Sequence, residues 1–158
     1  MEFYATIKEL GTGKIVHIDF PTSLEEVAAK LGLEDDRFEY IIVDSSSHLI
    51  SEHDSIEMLN RFYELAETTD DDLVEAVHEV LGYKAKDFVA YDFNFEDCSL
   101  LPDVNSQREL GEYWVDQLGF SNIPREVLEF HFDHEGYGRD IDLENQGGFS
   151  SKGYLQIN

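Results

Sequence analysis

Carboxylates are the residues whose number and spacing in this chain invite chemistry. Among 158 residues there are 35 Asp and Glu against 11 Lys and Arg, for a net charge of −24. Three uses are open to such a set: acid/base pairs, metal ligands, or an array of fixed negative charge. With so many carboxylates, finding a pair suited to general acid/base work distinguishes nothing. For metals, the suggestive grouping is His131 and His134 with Asp133 and Glu135, but it shows no evident third ligand and lacks the HExxH spacing of metalloproteases. A metal-assisted hydrolase using those histidines stands as an alternative. Asp70-Asp71-Asp72 could bind a divalent cation or stand in for phosphates; it also suits a helix N-terminus, where the macrodipole favours negative charge. Asp92 to Asp97 starts like a calcium loop, but Asp97 occupies the glycine position and Asp103 the bidentate glutamate position. Ser45–Ser47 lacks a GxSxG elbow, and Gly11-Thr12-Gly13 lacks the pattern of a phosphate loop. Cys98, the sole cysteine, allows neither an internal disulfide nor a cysteine-based zinc site. The expectation is a non-enzyme with no cofactor and no metal.

What remains is the charge array itself. Residues 1–55 carry net charge −8, residues 56–100 carry −9 and residues 101–158 carry −7, so the acidity pervades the chain and is not a tail. A small domain is comfortable with a net charge of about 2–8 in magnitude, and self-repulsion beyond that opposes compaction. Duplex DNA carries one charge per ~1.7 Å, so 24 charges match roughly 40 Å of duplex, and a dimer roughly 80 Å. The candidate acidic surface comprises Glu25, Glu26, Asp35 and Asp36; then Asp70, Asp71, Asp72, Glu75 and Glu79; then Glu109, Glu112 and Asp116. Neighbouring carboxylates on one helix face lie ~5–6 Å apart at Cβ, the order of the spacing of successive phosphates. Ordinary amphipathic helices mix signs, yet residues 70–81 hold no Lys or Arg. No segment supplies the basic face that DNA binding needs.

The elements that must position these residues read as α+β, in three small domains: 1–55, a mostly helical 56–100, and 101–158. Phe3–Leu10 and Lys14–Phe20 predict a hairpin across Gly11-Thr12-Gly13, with Val16, Ile18 and Phe20 on one face. Pro21 and Thr22 open a helix, Thr22 and Glu25 having capping-box spacing, and Gly32 ends it; a third strand follows over Phe38–Val43. Asp54 and Glu57 could cap the next helix, whose apolar face is Ile56, Leu59, Tyr63 and Ala66. A helix to Leu81 turns Leu73, Val77, Val80 and Leu81 inward, with Gly82 as its stop. A short helix near Ala85–Ala90 and a strand near Tyr91–Phe95 complete the middle. In the last third, Leu110, Tyr113, Trp114 and Leu118 share a face of a helix stopped by Gly119. Pro124 opens another over Arg125–Phe132, a helical turn covers Asp133–Tyr137, and strands near Asp140–Glu144 and Tyr154–Ile157 pair across Gly147-Gly148 and Gly153. Residues 1–10 carry no signal peptide pattern, no apolar run approaches a membrane span, and a cytoplasmic protein is expected.

The run ELGEYWVDQLG (109–119), then IPREVLEFHFDHEGYGRDIDL (123–143) and GGFSSKGYLQI (147–157), resembles the ArdA antirestriction family, most closely at Asp133–Ile141. The likeness extends upstream through SEHDSIEMLNRFYEL and is looser in the first forty residues. The resemblance implies an elongated three-domain homodimer, joined through its C-terminal domain, whose acidic surface imitates bent B-form DNA. It would fill the DNA-binding groove of the methyltransferase core of type I restriction-modification enzymes, protecting mobile DNA. ELGEYWVDQLG matches the family's antirestriction motif, which makes Leu110, Tyr113 and Trp114 candidates for core or dimer contacts, with Leu118, Tyr137 and Arg139 as further motif residues. His134 and Gly136 depart from the aromatic and bulkier residues that the family pattern implies there. Other readings are an acidic module that binds a different basic nucleic-acid-binding protein, and acidity as adaptation to high salt.

Overall fold

The computed structural model describes residues 2–119 and 122–158. Its order begins β1 (Tyr4–Glu9), β2 (Ile15–Asp19), α1 (Leu24–Leu31), β3 (Tyr40–Ser45) and α2 (Ile56–Ala66). Then come α3 (Asp71–Leu81), α4 (Ala85–Ala90), a 3-10 turn at Phe95–Asp97 and β4 (Cys98–Leu101). The last part is α5 (Gln107–Leu118), α6 (Arg125–His131), α7 (His134–Glu144), β5 (Gly148–Ser150) and β6 (Gly153–Ile157). The class is α+β, with two small antiparallel sheets ordered β2-β1-β3 and β4-β6-β5. Contacts gather the chain into two compact units: Met1–Asp70 with Tyr83–Asn94, and Asp71–Gly82 with Phe95–Asn158. No helix among the described residues is long and apolar enough to cross a membrane.

In the first unit the expected hairpin forms, with Thr6 opposite His17 and Ile7 opposite Val16. Alternation places Ala5, Ile7 and Ile18 in the core, where Val27, Ala28 and Leu31 of α1 meet them. The hairpin turn is closed by Glu9, whose carboxylate accepts from the Gly11 amide at 2.8 Å and from the Thr12 amide and hydroxyl, each at 2.6 Å. Those hydrogen bonds hold the acid below its usual range. Two helix starts differ from expectation by one residue. Ser23, not Thr22, caps α1 by accepting from the Glu26 amide, and Ser55, not Asp54, caps α2 by accepting from the Met58 amide. The side chains are otherwise engaged: Asp54 already accepts from the Ser51 amide, and the Thr22 hydroxyl donates to Glu26. Gly32 ends α1 in the left-handed conformation, as expected. The α2 face that is buried is Ile56, Leu59, Phe62 and Ala66, with Tyr63 half-buried. Phe62 meets the Phe88 ring of α4 at a tilt of 41°, ring centroids 5.6 Å apart.

No strand forms at Tyr91–Phe95. Asp92 adopts a positive φ of 47°, the Phe93 amide donates to the Phe88 carbonyl, and the Phe93 ring meets Phe88 edge-on at 5.4 Å. The strand comes later, as β4.

In the second unit α3 packs on the three-stranded sheet. Its fully buried residues are Val74, Ala76 and Val77, whereas Leu73, Val80 and Leu81 are half-buried. Ser106 caps α5 and Gly119 stops it. The expected strand at Asp140–Glu144 is instead the second half of α7, and the short turn at Asp133–Tyr137 is its beginning. Asp133 caps this helix by accepting from the Gly136 amide at 2.9 Å, so Gly136 and His134 are accommodated within it. The helix is held against α5 at glycines. A Cβ on Gly138 would lie 1.7 Å from the Gln107 carbonyl oxygen, and one on Gly111 would lie 1.9 Å from that of His134. Around this contact Val104, Leu110 and Tyr154 form a core, flanked by Leu101, Tyr113, Trp114, Ile141 and Phe149.

Candidate functional site

Of the 35 carboxylates, only those of Glu9 and Asp54 are buried; the rest keep part of their surface in solvent. The first unit carries 18 acids and 7 bases, net −11, and the second 17 acids and 4 bases, net −13. Folding therefore leaves the charge at the surface of both units.

In the first unit Glu25 and Glu26 occupy the first turn of α1, where the helix dipole favours them. Glu26 also accepts from the Thr22 hydroxyl at 3.1 Å. Asp35 and Asp36 are exposed in the loop after α1, and one shallow cleft is lined by Glu25, Glu34, Asp35 and Asp36 together. Three of the candidate acids of this unit, separated by ten residues in sequence, thus share one concave surface. Asp70, the last residue before α3, is exposed.

In the second unit the α3 stripe is shared between solvent and the protein's own turn. Asp71 and Asp72 lie exposed in its first turn, and Glu75 is half-buried. Glu79 grips the β5–β6 turn, accepting from the Ser151 amide at 2.7 Å and the Ser151 hydroxyl at 2.6 Å. These bonds hold its carboxyl below the usual range. Lys152 from the same turn places Nζ 3.5 Å from Asp72. Residues 70–81 contain no base, yet the fold brings one to their N-terminus from 80 residues away.

On α5, Glu109 accepts from the Ser106 hydroxyl at 3.3 Å, and Glu112 pairs with Arg108 at 2.9 Å. Asp116 is exposed. Leu110 is fully buried, and Tyr113 meets Trp114 edge-on at 5.5 Å while both pack on the core. Leu118 departs from that face and is 57% exposed, because the helix overruns the core by its last turn. Tyr137 is half-buried against Phe132 at 5.7 Å, and Arg139 is exposed. His131 is exposed on α6 and His134 is buried at the start of α7; among the described residues no third ligand atom gathers with them.

Two features went unread in the sequence. Ile123, Val127 and Phe130 are exposed at and along α6, Phe130 by 75%. Val127 and Phe130, three residues apart, share one face of α6, and Ile123 precedes the helix. The glycine contact between α5 and α7 joins the ELGEYW and GYGRD segments, which are 27 residues apart at Gly111 and Gly138.

The family model described as Antirestriction protein (ArdA) matches residues 11–156. The chain belongs to the ArdA antirestriction family. The ArdA match takes in nearly all of both units, including every candidate acid and the α5–α7 contact. Membership of this family implies an antirestriction protein. No curated protein matches this ArdA chain.

Proposed function

We propose that this protein inhibits type I restriction-modification enzymes by occupying the DNA-binding groove of their methyltransferase core in place of DNA. The observation that carries the reading is the charge distribution: a net −24 in which 33 of 35 carboxylates remain at the surface. A DNA channel is lined with Lys and Arg that bind phosphates, largely by electrostatics and release of counterions. Carboxylates spaced along α1, α3 and α5 offer the same partners to those side chains. The mechanism requires no bond to be made or broken. Its energy is a sum over many charges, so it is distributed and sensitive to salt.

The inhibitor acts as a homodimer in this reading, doubling the length of charge presented. Val127 and Phe130 on α6, with Ile123 just before it, offer an exposed apolar surface in the second unit for self-association.

Competition tests the proposal. A purified type I methyltransferase core bound to labelled target duplex is titrated with the protein at fixed salt. Stoichiometric displacement, with no binding of the protein to DNA alone, is expected. A folded protein that leaves the duplex bound would refute the mechanism and favour an acidic module directed at some other basic protein.

A further inference from the structure

The second unit contains a cleft of about 260 Å³ bounded by α5, α6 and α7. Its apolar part is Val115 and Leu128, and its rim carries Glu112, Asp116 and Glu129. His134 lines it as well; this residue is 94% buried, and its Nδ1 has no hydrogen-bond partner among the described residues. Arg108 and Arg125 stand at the rim, Arg108 already turned onto Glu112. Asp116 and Glu129 make no ion pair among the described residues.

We infer that this cleft seats an arginine side chain of the target enzyme, an inference that rests on the function proposed above. An arginine carries an aliphatic stem that packs on apolar surface while its head remains at a polar rim. Val115 and Leu128 suit the stem. The planar guanidinium presents five donors in a fork that matches carboxylates, and Asp116 and Glu129 are available to receive it. The Arg108–Glu112 pair shows that a guanidinium already fits a carboxylate at this rim. The sign of the ligand follows from the field. Three carboxylates outweigh two guanidinium groups at the cleft, within a unit of net −13. His134 is the first residue of α7. Its unpartnered ring nitrogen is a further polar group open to an entering side chain.

The test uses the full-length protein and N-acetyl-L-arginine amide, with N-acetyl-L-lysine amide as control, followed by amide and histidine-ring NMR shifts. Saturable shifts at His134, Val115 and Leu128, stronger for the arginine compound, are expected. They should be lost in an Asp116→Asn, Glu129→Gln variant. A second variant of equal charge change away from the cleft, Asp140→Asn, Glu144→Gln, should retain them. In the DNA-displacement assay the cleft variant should be weaker by about tenfold, the loss of roughly one decade in affinity, and the control variant should be nearly unchanged. Shifts that are unsaturated and spread evenly over α1, α3 and α5, or two variants that lose inhibition equally, would overturn the cleft and leave only a diffuse field. Failure of the wild type to displace DNA despite saturable arginine binding would overturn the restriction enzyme as the source of the side chain, separately from the cleft itself.

Discussion

Replacing Gly138 by alanine should separate α5 from α7, and the structure allows the effect to be sized. The added Cβ would sit 1.7 Å from the Gln107 carbonyl oxygen and 2.9 Å from the Gly111 nitrogen, both backbone atoms that cannot rotate away. Ordinary contact begins near 3.4 Å, so the helices must part by about 1.7 Å, and a gap of even ~0.5–1 Å forfeits a quarter to a half of each dispersion contact. Overpacking typically costs ~1–3 kcal/mol; with two rigid backbones meeting, about 3 kcal/mol is expected. For a chain of this size that corresponds to roughly 6–12 °C in Tm. The single tryptophan, Trp114, lies on α5 beside the affected core, so its fluorescence during urea unfolding reads this unit. Gly119→Ala provides the comparison: it has open space around it and only the strain of a positive φ of 66°, worth about 1–2 kcal/mol. A Gly138→Ala protein within ~0.5 kcal/mol of wild type would refute backbone contact between the two helices.

Other perturbations test other parts. Truncating Leu110 to alanine, in the same core, should cost about 2–5 kcal/mol by urea denaturation. Glu79→Gln should speed hydrogen exchange at the Ser151 amide. In the wild type this protection should be complete above the ordinary glutamate value of 4.5 and fade as pH falls below it through the lowered folded pKa; an exchange rate flat in pH, after correction for intrinsic chemistry, would contradict the Glu79 grip. On the proposed homodimer, Phe130→Asp should shift sedimentation towards monomer, the lost burial of one aromatic ring weakening association by roughly 1.5–3 kcal/mol; a wild type that sediments as monomer would refute that assembly. Asp71→Asn alone should leave DNA displacement almost unaltered, whereas Asp70, Asp71 and Asp72 changed together should weaken it and flatten its salt dependence; an inactive, folded single variant would argue against a distributed charge mechanism.

Where the sequence was readable, a short-range rule decided the structure. Leu110 and Trp114 on one face with Gly119 beyond them define α5, and Gly32 and Gly82 end their helices through conformations that glycine adopts freely. The first hairpin follows from alternation alone. Sequence and structure part where a distant group intervenes. Asp140–Glu144 alternates like a strand, yet Gly138 docks on α5 and Asp133 caps the turn, so the segment continues as helix. Val74 and Ala76 turn inward on α3 because β4, β5 and β6 cover that side, and those strands lie up to 80 residues further on. The same holds for the acidic site. That the chain is a charge array was legible from composition and spacing, but its internal partners were not. Lys152 on Asp72 and Ser151 on Glu79 come from a turn that sequence spacing cannot connect to α3.

The threading of the two units through the chain has a consequence for inheritance and synthesis. The first unit requires residues up to Asn94, while the second recruits α3 from before that point. Any single cut in the gene therefore divides one unit or the other, and neither can be passed on as a contiguous cassette. On the ribosome α3 emerges before β4, β5 and β6 exist, and Val74 and Val77 must wait for more than seventy further residues before their sheet is complete. Nascent chains stalled in that interval would expose an apolar helix at a stage when the first unit can already close.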